Sequence, residues 1–280
     1  MAGEEVLKLG FSPCPNDTFI FGALALRKIP LRREYALHIE DVEALNQRAA
    51  QAELHVTKLS FAAFAPLTHV YQLLPVGAAL GFGCGPLLVS RAPKVDVSRS
   101  RVALPGERTT AAFLFRVFFP EAQELVYKRY DEIIPALKAG EVEAGVLIHE
   151  GRFVYSRAGL HLQADLGRLW EETYQAPIPL GGLFVLRELP RETKRDVCLD
   201  IRESLSFARE NWGQVFPFLK AHAQELEEEV IRRHVETFVN RYTYALGEEG
   251  RRAIDIFLEL AAKRGLIKGF QKDYLWEACP

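Results

Sequence analysis

The sequence predicts an α/β protein of two lobes, with mainly parallel sheets and a ligand cleft between the lobes. Three observations carry that expectation. Short apolar runs alternate with amphipathic ones from residue 6 to residue 148, a β-α-β-α rhythm that builds parallel sheets. Two strands of similar composition, Leu87-Leu88-Val89-Ser90 after Gly85-Pro86 and Leu183-Phe184-Val185-Leu186 after Gly181-Gly182, stand about 95 residues apart and bracket a second α/β unit. Beyond Arg187 the periodicity is helical throughout. Lobe one is therefore expected to be discontinuous, residues 1–88 and 184–280, with residues 89–183 as lobe two closing on it about the two bracketing strands.

The elements follow in order. An apolar strand, residues 6–11, runs into Ser12-Pro13-Cys14-Pro15-Asn16-Asp17-Thr18, and a helix is expected over 19–26. The two prolines confine the turn, and Asn16 and Asp17 are placed to cap that helix. A strand is expected over 35–39, then a helix capped by Asp41 and running through Glu53. Strand 54–59 ends at Ser60, which can cap a helix over 61–67, and a fourth strand is expected over 73–79. Gly81-Phe82-Gly83-Cys84-Gly85-Pro86 does not match G-x-G-x-x-G and no helix follows it, so it reads as a turn rather than a dinucleotide fingerprint.

The second unit opens with strand 101–104 and a turn at 105–108, after which Thr109 and Thr110 start a helix through Phe119. Strand 125–130 precedes a helix capped by Asp131 and closed by Gly140. The apolar strand 144–148 then delivers His149 and Glu150 at its C-terminal end, and a further strand and helix lie over 160–170. The final helices are expected over 190–209, 212–221, 227–239 and 248–264.

Composition narrows the function. The chain has 280 residues, a formal net charge of −2 and 49% hydrophobic residues, an ordinary globular balance without the basic footprint of a nucleic-acid binder. No apolar run reaches the roughly 20 residues that span a bilayer. Met1 to Glu5 lack the basic region and apolar core of a signal peptide, so the cytoplasm is the expected compartment. There the four cysteines would stay reduced, and their spacing offers no metal site.

In open α/β sheets ligands bind beyond the C-terminal ends of strands. Four such ends stand out: Ser12 to Thr18, with Ser12, Asn16 and Asp17; Lys58, Leu59 and Ser60; Thr109 and Thr110; and His149. Lys58 either holds its ammonium near the cleft or is solvated, and Ser60, Thr109 and Thr110 are either plain caps or donors to an anionic ligand. His149 is the candidate acid/base, since imidazole both takes and gives a proton near neutrality. His38 and His55 lie within strands, while His69, His161, His222 and His234 fall in segments without convergent partners. Cys14 reads as packing.

The run Ser12 to Phe19 resembles the N-terminal signature of the 1,4-dihydroxy-6-naphthoate synthases, enzymes of the futalosine route to menaquinone. Thr57-Lys58-Leu59-Ser60, Pro105-Gly106-Glu107-Arg108-Thr109-Thr110-Ala111 and Ile148-His149-Glu150 look like that family's later motifs, in the same order. The resemblance implies a type II periplasmic-binding-protein fold. It also implies cleavage of cyclic dehypoxanthine futalosine, a small carboxylate substrate, to 1,4-dihydroxy-6-naphthoate and dihydroxyacetone, with no cofactor or metal. His149 matches the family's proposed base, and Lys58 to Ser60 with Thr109 and Thr110 match its substrate contacts. The alternatives are a small-anion binding or sensor protein of the same fold, or the pathway's chorismate dehydratase, whose group the opening run does not resemble.

Overall fold

The structure, a computed structural model, describes residues 6–224 and 227–279; the expected lack of a leader at residues 1–5 lies outside them. The chain opens with β1 (Leu7–Phe11), α1 (Pro15–Ala25), β2 (Tyr35–Ile39), α2 (Val42–Ala50), β3 (Val56–Ser60) and the single turn α3 (Phe61–Phe64). Short strands β4 (Tyr71–Leu73) and β5 (Ala79–Gly81) replace the one expected over 73–79, because Pro75 and Gly77 turn the chain between them. Then come β6 (Leu87–Ser90), β7 (Arg101–Leu104), α4 (Thr110–Phe118), β8 (Glu124–Tyr127), α5 (Ile133–Ala139), β9 (Ala144–Leu147), α6 (Gly151–Val154), β10 (His161–Asp165), α7 (Leu166–Tyr174) and β11 (Ile178–Leu186). The remaining helices are α8 (Arg191–Glu210), α9 (Trp212–His222), α10 (Glu228–Phe238), α11 (Arg241–Tyr244) and α12 (Gly247–Lys263). The extra turn α11 and the non-helical tail 266–279 depart from the all-helical C-terminal region expected.

Local chemistry explains most of the helix ends. Asp41, Thr109 and Asp165 accept backbone N–H groups at the starts of α2, α4 and α7. Gly140 ends α5 in the left-handed conformation. Asn16 and Asp17, however, do not cap: Pro15 takes the first helical position, so both fall inside the first turn of α1. Ser60 sits at the cap position of α3 but makes no side-chain cap bond.

Two sheets result, and they are mixed rather than mainly parallel. The first has the order β2-β1-β3-β11-β4, with β5 also paired to β11; the second has the order β10-β6-β9-β7-β8. Each keeps a parallel trio, β2-β1-β3 and β8-β7-β9. β11 runs antiparallel to β3, β4 and β5, and β6 antiparallel to β9 and β10. The positions 88/89 and 183/184, expected as boundaries, fall inside β6 and β11, and each of these strands stays in one sheet throughout.

The main apolar cluster runs from Leu9 and Phe11 of the first sheet to Val102 and Val146 of the second, and a smaller one packs Ile133 and Leu137 of α5 on Leu87, Val89, Ala103 and Leu147. Phe257 of α12 joins the main cluster, with its ring 4.9 Å from Phe113 of α4, 5.9 Å from Trp170 of α7 and 6.2 Å from Phe61. Against the expectation of reduced thiols, Cys198 of α8 and Cys279 in the tail form a disulfide, with Cα atoms 6.0 Å apart. Among the described residues no helix is long and apolar enough to cross a membrane.

Candidate active site

Residues 12–17 leave β1 at its C-terminal end, and residues 58–60 close β3 beside it, so the parallel pairing of β1 with β3 sets the two groups side by side. From the second sheet, β7 leads to Thr109 and β9 to His149. A cleft lies between, lined by Ser12, Asn16, Asp17, Lys58, Leu59, Ser60, Thr109 and His149. Eight of the nine residues expected at the site thus share one space. Thr110 does not line it: its Oγ1 donates to Leu180 O at 2.7 Å and accepts from Ala62 N, tying α4 to β11 and α3.

The first-sheet side is a closed polar circuit. Asp17 Oδ2 accepts from Ser12 N (3.1 Å) and Ser12 Oγ (2.7 Å). Its Oδ1 accepts from Asn16 Nδ2 at 2.8 Å and pairs with Lys58 Nζ at 3.2 Å. Lys58 also donates to Gly77 O at 2.7 Å. Both charges are buried, so their pairing and hydrogen bonds offset a desolvation that neither could sustain alone. Ser60 is held by Asn46, which accepts from its N and donates to its Oγ.

Because Asn16 Nδ2 faces a carboxylate, its Oδ1 is the atom at 2.9 Å from His234 Nε2, and an amide oxygen only accepts. His234 therefore carries its proton on Nε2, and Nδ1 is a buried acceptor without a partner. Sequence reasoning missed this residue because its partner lies 218 positions away. Burial, the neighbouring His149 and the Arg152 guanidinium hold its pKa well below the usual histidine value.

His149 adopts a left-handed backbone, φ 55°, which turns the chain sharply between β9 and α6. Its ring stacks with His234 at 6.3 Å and meets Tyr130 edge-on at 4.7 Å. Burial pushes its pKa down to about 4, against an opposing pull from Asp17. At neutral pH the imidazole is uncharged, and its buried Nε2 has no hydrogen-bond partner. This nitrogen can accept a proton from a bound molecule. Cys14 is buried, and burial with Glu150 nearby raises its thiol pKa, so it stays protonated and inert.

Two further lining residues carried no sequence signal. Arg152 follows His149 by three positions and donates to Gly85 O at 2.8 Å. Gly85 presses on Gly167, where an added Cβ would lie 2.2 Å from the Gly167 Cα, so the 81–86 loop can approach α7 only as glycine. Glu43 of α2 also accepts from Arg108 N at 3.1 Å, tying α2 to the turn between β7 and α4.

Residues 7–263 match the family described as menaquinone biosynthesis. A 1,4-dihydroxy-6-naphthoate synthase of Thermus thermophilus is 44% identical over 262 residues, covering 94% of this chain and 96% of the relative. One of Streptomyces coelicolor is 38% identical over 276 residues, covering 97% and 98%. Among solved structures, a protein of Archaeoglobus fulgidus superposes with a TM-score of 0.89 at 35% identity, covering 93% of this chain and 98% of its own. The Escherichia coli periplasmic aliphatic sulphonate binding protein superposes with a TM-score of 0.64 at 12% identity, over 98% and 93%, a likeness of fold alone. The fold is periplasmic-binding-protein-like.

Proposed function

The chain belongs to the menaquinone-biosynthesis family and is an enzyme of that pathway, and from this premise we propose that it is a 1,4-dihydroxy-6-naphthoate synthase. In this reading it is a carbon–carbon lyase that divides cyclic dehypoxanthine futalosine into 1,4-dihydroxy-6-naphthoate and dihydroxyacetone, with no cofactor. The observation that carries the reading is His149: a buried, uncharged imidazole at the cleft wall, whose Nε2 has no hydrogen-bond partner.

Proton removal from the substrate by Nε2 starts carbon–carbon cleavage, and formation of the aromatic ring draws the reaction forward. The protein supplies orientation, a proton acceptor and a dry cleft. Ser60 offers its hydroxyl proton to the sugar-derived part of the substrate. Ser12 and Thr109, whose protons go to Asp17 and Gly106 O, offer hydroxyl oxygens as acceptors, and Ile148, Leu180 and Phe238 face its ring system. Asp17, Asn16 and Lys58 hold that wall in place through the circuit described above.

Purified protein incubated with the cyclic futalosine derivative, without added metal or cofactor, should release the naphthoate and dihydroxyacetone, read by mass spectrometry. Tight binding without turnover would replace this reading with that of a solute-binding protein. Dehydration of chorismate by the same preparation would assign the chain to the pathway's other enzyme of this fold.

A further inference from the structure

We propose that Arg152 is the anchor for the carboxylate of the substrate, at the end of the cleft beside Gly85 and Pro86. The proposal rests on the naphthoate-synthase reading, in which the product bears one ring carboxylate. Among the described residues, two cations line the cleft, Lys58 and Arg152. Lys58 has its charge met by Asp17 at 3.2 Å and a further donor taken by Gly77 O. It has little left to offer an anion.

Arg152 is different. One of its five N–H donors reaches Gly85 O, and among the described residues no carboxylate stands within ion-pair distance. The nearest acidic groups are already engaged. Asp165 Oδ1 accepts from Gly167 N at 2.9 Å and Arg168 N at 3.1 Å, and Glu171 Oε1 accepts from Gly83 N at 2.7 Å. The guanidinium is removed from water enough that burial lowers its pKa. Asp165 and Glu171 pull on this half-buried cation from a distance but neither makes an ion pair with it, and a ligand carboxylate in direct contact would offset the remaining desolvation. The bond to Gly85 O fixes one edge of the fork, leaving the others free for bidentate recognition of a carboxylate.

Position supports the same assignment. Arg152 and His149 share one short segment after β9, so anchor and base keep a fixed relation whatever the rest of the cleft does. The same cleft is lined by Pro86, Ile148, Leu180 and Phe238, an apolar set that suits a flat ring. The ring would lie with its carboxylate on Arg152 and its reacting carbons at His149.

The test is a fluorescence titration, without oxygen, of wild type, Arg152→Gln and Arg152→Lys with two probes. One is 1,4-dihydroxy-6-naphthoate; the other is 1,4-dihydroxynaphthalene, the same ring without the carboxylate. Wild type should prefer the naphthoate by about 10–100-fold, the range of a charge-assisted hydrogen bond. Arg152→Gln should lose that preference while binding the diol as wild type does, which also shows that the cleft is intact. Arg152→Lys should keep part of the preference. Full preference retained in Arg152→Gln overturns the anchor alone if wild type still turns over the futalosine derivative. Wild type that neither binds the probes nor turns over the substrate removes the activity reading and the anchor together.

Discussion

At the scale of single residues, burial decides what each ionisable group can do. His149 carries no charge above pH 5 because burial holds its pKa at about 4. As general base it should supply roughly 10²–10⁴ in rate, so turnover by His149→Asn should drop by about that factor with the fold retained. Wild-type kcat should stay level from pH 8 to near 5 and decline towards pH 4, where the ring protonates; the Asn variant should lack this limb. The same shift bears on stability. A histidine whose pKa is lowered by folding binds its proton more readily in the unfolded chain, so its contribution is complete above about pH 6.5 and is lost as pH falls towards 4. His149→Asn should therefore unfold at lower pH than wild type in an acid titration followed by circular dichroism. An unchanged acid midpoint would mean that this ring is not the proton acceptor of unfolding. Lys58 sits in the opposite situation, buried against Asp17. Lys58→Ala strands a buried carboxylate and should lower stability by about 3–5 kcal/mol in urea, much more than loss of an exposed substrate contact would. Combining it with Asp17→Asn should recover much of that loss.

At the scale of elements, the strand ends place the chemistry and the helix starts hold it. Thr109 shows both duties: Oγ1 accepts from Ala112 N at 3.1 Å and donates to Gly106 O at 2.9 Å. Thr109→Ala removes the cap of α4 and should cost about 0.5–2 kcal/mol in thermal or urea unfolding even without substrate. A variant as stable as wild type would show the hydroxyl to be idle in the free protein. Much at this scale was legible in the sequence. β2, β6 and β7 fall on the expected residues, and the caps Asp41 and Thr109 were read from their positions before amphipathic runs. What escaped depends on distant partners. The antiparallel pairing of β11 with β3 joins residues over 120 positions apart, and no local pattern distinguishes it from a parallel strand. His234 meets the site through Asn16 and the His149 ring, and Arg152 through the approach of Gly85, all partners distant in sequence or set by the fold. Asp17 looked like a cap because its type fits one; with Pro15 at the first position the helix starts four residues before the expected residue 19.

At the scale of the whole molecule, the C-terminal segment returns to the first sheet and is fastened there. The Cys198–Cys279 disulfide spans 81 positions, and a link of that length restricts the unfolded chain by about 4.5 kcal/mol on the entropic model. Without reductant, the unfolded protein should expose two alkylatable thiols, Cys14 and Cys84; with reductant it should expose four and melt at a lower temperature. Four thiols from unreduced protein would refute the link. The fastened segment also touches β4, the last strand in its sheet: Leu73 N donates to Tyr274 O at 2.7 Å, and Trp276 N to Leu73 O at 2.9 Å. A bare outer strand is a template on which other chains can pair. The tail fills that place in advance, so a chain ending at Lys263 should self-associate on size-exclusion chromatography while the full chain does not gain mass through this edge. The last residues would then serve the protein as a guard against its own aggregation.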